Sequence, residues 1–261
     1  QFKALMEENS VDNIALNIFY SRVKGFLNKG DIKGLENINH NKNIFLKVPE
    51  IIKQDFETIT KVIDELSLYI KGIITSNAGI IRKYKNSMFI IGDYKLNIFN
   101  HEGAEFYSED IDIPSLSVEL NRKELKEVMK DIKCKIAVNI YGKTELMVSE
   151  YCPVGSTFGN KASKKECNMP CMKDNFTLID RMNEKFRVLC DNSCRSHILN
   201  SLPINLIEEC EEMETFNIEN FRVDFLDETY EDVKDVIKQI NCGKKNENRI
   251  YTKGHYKRGV E

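Results

Sequence analysis

Short apolar, β-branched runs alternate along this chain with segments whose apolar residues recur at three- and four-residue steps. The runs occupy residues 14–21, 43–52, 70–77, 88–100, 113–121, 135–142 and 221–227. Bounded by turn residues, they predict strands buried on both faces. Four stripes lie between or beside them: Phe56, Ile59, Val62, Ile63 and Leu66; Leu125, Val128, Met129 and Ile132; Leu206, Ile207, Cys210 and Met213; Tyr230, Val233, Ile237 and Ile240. Each has the spacing of a helix packed on a sheet. Strands alternating with helices imply parallel βα units, hence an α/β fold. Six or seven such units predict a (β/α) barrel of the TIM type, complete or nearly so, with an open doubly wound sheet as the alternative.

The alternation breaks late in the chain. Residues 146–200 are rich in Cys, Gly and polar residues, and the stretch NFTLIDRMNEKFRVLCDN within them predicts a β-hairpin turning at Arg181 to Lys185. This reads as a Cys-rich insertion after a late barrel strand, where barrel enzymes build their sites. A basic, polar tail over residues 243–261 is expected to be a solvated terminal segment. The whole of 1–261 is expected to be one domain. The chain opens with Gln, so it is expected to be a fragment of a longer protein.

At 261 residues and with 30% charged residues, the chain has the composition of an ordinary globular protein. The net charge of −3 argues against a generally basic nucleic-acid binder, though not against a local basic face. No apolar run approaches the ~20 residues that span a bilayer, and QFKALMEENS has no secretory h-region. A cytoplasmic protein without a membrane partner is expected.

Five of the eight cysteines, Cys152, Cys167, Cys171, Cys190 and Cys194, fall in the insertion. Clustered thiols in such a chain imply a metal or redox chemistry. Cys134 and Cys210 are in step with apolar neighbours and read as core thiols. Cys190 alternates with Phe186 and Val188 and reads as the buried face of a strand. Cys152, Cys167, Cys171 and Cys194 remain, all in loops. Four such thiolates suit a [4Fe–4S] cluster or a structural zinc. A zinc site pairing Cys167-x3-Cys171 with Cys190-x3-Cys194 is a further arrangement.

Several segments carry a specific resemblance. GDYKLNIFN (92–100), SVEL (117–120), LMVSEYCPVG (146–155), CNMPC (167–171), DRMNEKFRVLCDNSCRSHILNSLPINL (180–206) and TKGHYKRGV (252–260) are similar to elements of the U32 family, also described as collagenase-like. The resemblance implies a [4Fe–4S] cluster held by four cysteines, here Cys152, Cys167, Cys171 and Cys194. Some members have a further cysteine shortly after the first, where this chain has Ser156, Thr157 and Phe158, which makes Cys190 the reserve ligand. It also implies oxygen-independent hydroxylation in several members, acting on ribosomal or transfer RNA pyrimidines or a quinone precursor. A prephenate-like hydroxyl donor is implied as a partner, as are the remaining domains of a longer parent chain. Other members are described as proteases.

The residues themselves give proteolysis little support: there is no HExxH, no G-x-S-x-G, and only His40, His101, His197 and His255 among histidines. Proton handling falls to strand-end acids, Glu119 first, then Asp93 and Glu150. Asn97 and Asn139 are candidates to orient substrate. Arg181 and Arg195 are candidates to bind a carboxylate or phosphate.

Overall fold

The computed structural model describes residues 1–19, 28–34, 41–161 and 166–258. Residues 20 and 21 of the first expected strand, His40 and residues 259–261 lie outside that set. In chain order the elements are α1 (Phe2–Glu7), β1 (Asn13–Leu16), α2 (Lys29–Gly34), β2 (Asn43–Lys47), α3 (Phe56–Leu66), β3 (Gly72–Thr75), α4 (Ala78–Tyr84), β4 (Phe89–Gly92), α5 (His101–Ser108), α6 (Arg122–Met129) and β5 (Ala137–Gly142). Then come β6 (Glu145–Ser149), α7 (Pro153–Phe158), β7 (Phe176–Ile179), β8 (Lys185–Cys190), β9 (Ser196–Leu199), β10 (Ile204–Asn205), α8 (Cys210–Glu214), β11 (Asn220–Val223) and α9 (Tyr230–Cys242).

The helix starts follow from capping chemistry. Asn77, Asn100 and Asn121 each accept a backbone N–H in the first turn of α4, α5 and α6. Asn121 with Glu124 and Thr229 with Asp232 form capping boxes. Gly243, at φ 64°, ends α9.

Strands β1 to β4 form one parallel sheet in sequence order. Their outward side chains, among them Leu46, Ile73 and Ile90, pack with Ile63 of α3 and Ile80 of α4 into one core. Strand β11 pairs parallel to β5, while β10 pairs antiparallel to the end of β5. Val138 and Ile140 of β5 meet Leu125 of α6, Met213 of α8 and Val236 of α9 in a second core. A third sheet is antiparallel, in the order β6-β9-β8-β7.

The expected barrel is therefore not closed: among the described residues three sheets form, and no ladder joins β11 to β1. Residues 113–121, expected as a strand, form no ladder but lie between β4 and β5 through isolated bridges, Ile91–Ile113 on one side and Ser115–Ala137 on the other, with Ile98–Leu116 beside them and backbone bonds from Ile113 to Ile90 and Gly92 and from Pro114 and Leu116 to Ala137. Pro114 has no N–H to give to a ladder. Ser117 Oγ then accepts the Glu119 N–H and turns the chain away. The expected strand over 88–100 also stops early, because Asn97 adopts φ 52° after a single 3₁₀ turn.

The hairpin forms as β7 and β8, in register from Phe176–Val188 to Ile179–Lys185. The basic tail is largely exposed or half-buried over its described part, but it is tied down at Thr252 and Tyr256. Thr252 exchanges backbone bonds with Pro203 and Asn205, the Tyr256 carbonyl accepts the Arg122 N–H, and Tyr256 is 4% exposed. The apolar body of Tyr256, with its hydroxyl on Glu212, makes this basic segment a strap over the second core. No helix among the described residues is long and apolar enough to cross a membrane.

Gly142 closes β5 at φ 126°, and a Cβ there would lie 2.4 Å from the Asp224 carbonyl oxygen. Only glycine fits both the backbone angle and the approach. Gly142→Ala is expected to cost about 3 kcal/mol from strain and overpacking. Urea unfolding checks this; an unchanged midpoint would contradict the close approach.

Candidate functional site: a thiol pocket on a two-faced sheet

Side chains alternate between the faces of a strand, and directly paired residues share a face. In the antiparallel sheet Phe176 is opposite Val188, Val188 opposite Ile198, and Cys190 opposite Ser196. These residues form one face. Cys152 and Val154 of the α7 region pack on it together with Cys171.

Cys152 caps α7, and its Sγ accepts the Gly155 N–H at 3.2 Å. It lies 4.0 Å from Cys190 Sγ. Cys167 packs against the same short helix: a Cβ added at Gly155 would be 3.3 Å from Cys152 Sγ and 3.4 Å from Cys167 Sγ. At Gly159 it would meet Cys167 Sγ at 2.7 Å. The glycines at the first and last turns of α7 thus make room for sulfur. Cys152, Cys167, Cys171 and Cys190 gather in one pocket.

Burial pushes the Cys190 thiol up to about 12, and the neighbouring Cys152 and Cys171 add to it. Thiolates crowded this way raise one another unless a cation offsets them. The donor set, all sulfur and partly shielded, suits zinc or an iron–sulfur cluster. Among the described residues, Glu50, Glu145 and His197 are the only three metal-ligating groups whose donor atoms all lie within 4.8 Å of one another. The thiols are spread more widely than the ligands of a single tetrahedral ion, with metal–sulfur bonds of about 2.3 Å, would be.

The opposite face carries charge. His197, paired with Leu189 in the ladder, places Nδ1 2.7 Å from Glu145 and Nε2 3.4 Å from Asp191. Lys95 reaches Glu50 at 2.8 Å and Glu145 at 2.5 Å. Burial disfavours the charged ring, but Asp191 and Glu145 overcome it and hold the His197 pKa up at about 9. A metal ion on Glu50, Glu145 and His197 would have to displace Lys95 and strip that proton, so this trio is an ion-pair lock. Beneath it, at the carboxyl ends of the parallel strands, Asp93 pairs with Lys47 at 3.3 Å and Arg222 at 3.1 Å. Arg222 also pairs with Asp224 at 2.8 Å, and Asn139 Nδ2 donates to Asp224 at 3.2 Å.

The sequence candidates fall in several places. Cys152, Cys167 and Cys171 are brought together. Cys194 sits at φ 63° in the turn after β8, its N–H on the Asp191 carbonyl. Glu119 lies in an exposed turn and not at the end of a buried strand. Asp93 is buried; burial would raise its pKa, but Lys47 and Arg222 hold it far below the usual carboxylate range. It is an anchor rather than a proton carrier. Asn97 and Arg181 are exposed, one at the cap of the 3₁₀ turn and the other in the hairpin turn. Arg195 is buried, 3.5 Å from both Asp191 and Glu150 and 3.9 Å from Asp55. Lys95, Glu145, Asp191 and Arg222 escaped the sequence reading: Lys95 and Glu145 have partners distant along the chain, as does Arg222 in Asp93, and the near partners of Asp191 and Arg222 lie in a turn and a strand end with no distinctive spacing.

A family model described as peptidase family U32 matches residues 15–249. An uncharacterized protease of Methanocaldococcus jannaschii is 21% identical over 208 residues, covering 76% of this chain and 50% of that protein. The chain thus spans about half the length of this curated relative. A solved structure of the U32 peptidase Mk0906 aligns with a TM-score of 0.44 at 8% identity, over 59% of this chain and 68% of that one.

The lock has a pH signature. The folded pKa of His197, about 9, exceeds the ordinary 6.5, so its stabilisation is complete below pH 6.5 and lost as pH rises through about 9. Unfolding free energy is expected to fall on the order of 2–3 kcal/mol across that window, and by much less in His197→Gln. Parallel pH profiles for the two proteins would contradict the lock.

Proposed function

We propose that this chain, which belongs to peptidase family U32, holds a [4Fe–4S] cluster on Cys152, Cys167, Cys171 and Cys190 and serves an oxygen-independent hydroxylation of an RNA base. The convergence of these four thiols carries the reading. Cys190 takes the place that loop spacing gave to Cys194. The wide spread of the thiols favours a cluster over a structural zinc. Bound there, with a thiolate on each iron, a cluster would supply electrons.

The chain's own residues prepare the pocket. The Gly155 N–H donates to Cys152 Sγ and orients it. Val154, Val188 and Phe176 shield the sulfurs from water, which suits a reducing, cytoplasmic setting. RNA, a prephenate-like hydroxyl donor and the remaining domains of a longer parent chain are the proposed partners. The protease names of the relatives support a second reading, a peptidase, for which hydrolysis of gelatin by the purified chain is the test.

Anaerobic purification followed by iron, sulfide and zinc analysis tests the first reading. About four irons and four sulfides per chain are expected, lost in Cys190→Ala and largely kept in Cys194→Ala. Stoichiometric zinc without sulfide would overturn it.

A further inference from the structure

A polar atom is stranded on the thiol face. Ser196, the first residue of β9, is 0% exposed, and among the described residues its Oγ makes no hydrogen bond. A buried hydroxyl without a partner is costly. Were small size all this position needed, alanine would fill it and leave no polar atom unpaired.

The ladder decides what the hydroxyl lies beside. Ser196 is flanked by Cys190 of β8 and Ser149 of β6. The Asp191 N–H donates to the Arg195 carbonyl at 3.0 Å, so these two form a hydrogen-bonded pair. Pairs alternate along an antiparallel ladder. Cys190 and Ser196 are then the non-hydrogen-bonded kind, with Cα atoms about 4.5 Å apart and side chains at their closest. Toward β6 the order reverses, since one residue's N–H and carbonyl point to the same neighbour. Ser149 and Ser196 are the wider kind, about 5.5 Å apart, and Ser149 Oγ accepts the Tyr151 N–H at 3.1 Å. Cys190 is the nearer neighbour of the stranded hydroxyl.

Chemistry selects the acceptor. A thiol sulfur accepts weakly, whereas an ionised sulfur takes a charge-assisted bond. Burial, then Cys152 and Cys171, disfavour thiolate at Cys190, and the Ser196 hydroxyl works the other way. Val154 and Val188 pack on the same cluster, so the sulfur is turned from water. Cys152, the other buried thiol, already has its donor in the Gly155 N–H at 3.2 Å. The two buried sulfurs thus have one donor each at hand, a backbone N–H for Cys152 and a hydroxyl for Cys190.

We infer that Ser196 is a positioning residue of the metal site, whose hydroxyl donates a hydrogen bond to the Cys190 sulfur once that sulfur is a metal-bound thiolate and so raises the reduction potential of the cluster. The inference rests on the cluster reading above and adds a group that tunes it. A donor on a ligand sulfur offsets negative charge at the iron, and that charge is greater after reduction, so the bond favours the reduced state.

A redox titration of the anaerobically purified chain, followed by electron paramagnetic resonance with iron and sulfide assayed in the same samples, tests this. Ser196→Ala is expected to keep its iron and sulfide and to lower the midpoint potential by about 59 mV or more, a tenfold change in a one-electron equilibrium. Ser149→Ala, on the other side of Ser196, is expected to leave the potential unchanged. If Ser196→Ala loses iron, Ser196→Thr, which keeps the hydroxyl, must hold iron at the original potential. An unchanged potential in Ser196→Ala, an equal shift in Ser149→Ala, or loss of iron from both Ser196 variants would each overturn the inference. An unaltered chain without iron and sulfide defeats the cluster reading, whereas four irons with a potential insensitive to Ser196→Ala defeat the role of Ser196 alone.

Discussion

The ion pairs that pin the antiparallel sheet over the carboxyl ends of the parallel strands set the rest of this molecule. Lys95 follows β4, Glu50 follows β2, and Glu145 and His197 belong to β6 and β9. Removing one member of such a buried group costs far more than the group contributes in net, since it strands the others without a partner. The arrangement is specific for that reason. With the lock on one face fixed, the alternation of side chains along β8 and β9 fixes the other, and the thiols have one place to gather.

The two faces divide the chemistry. On one, cysteine thiols meet the Gly155 N–H and apolar side chains. On the other, carboxylates, a lysine and an imidazolium balance each other. The turn at 191–195 joins the two, since it leaves Cys190 and supplies Asp191 to His197.

Much of the helical framework was legible because burial has a period. The stripes from Phe56 and Tyr230 lie on α3 and α9, and the run around Val138 lies on β5. The U32 relationship was legible in its motif segments. Cys190 was read on the buried face of a strand, which is where it lies, but periodicity alone cannot tell an apolar core from a thiol pocket. Residues 113–121 misled because Pro114 leaves apolar spacing intact while removing a ladder donor. The tail misled because its charge concealed Tyr256, the side chain that anchors it. The lock was invisible for a different reason: Glu145 and His197 are 52 positions apart, and only the fold brings them to 2.7 Å.

The central claim is that four sulfurs on one face of this sheet enclose a polynuclear iron site. X-ray absorption at the iron edge of the anaerobically purified chain tests it most directly. The account expects an all-sulfur first shell together with an iron–iron shell, both present in the folded chain as isolated. A sulfur shell with no metal–metal scattering would mean a mononuclear ion, and the redox role proposed for the pocket would fail.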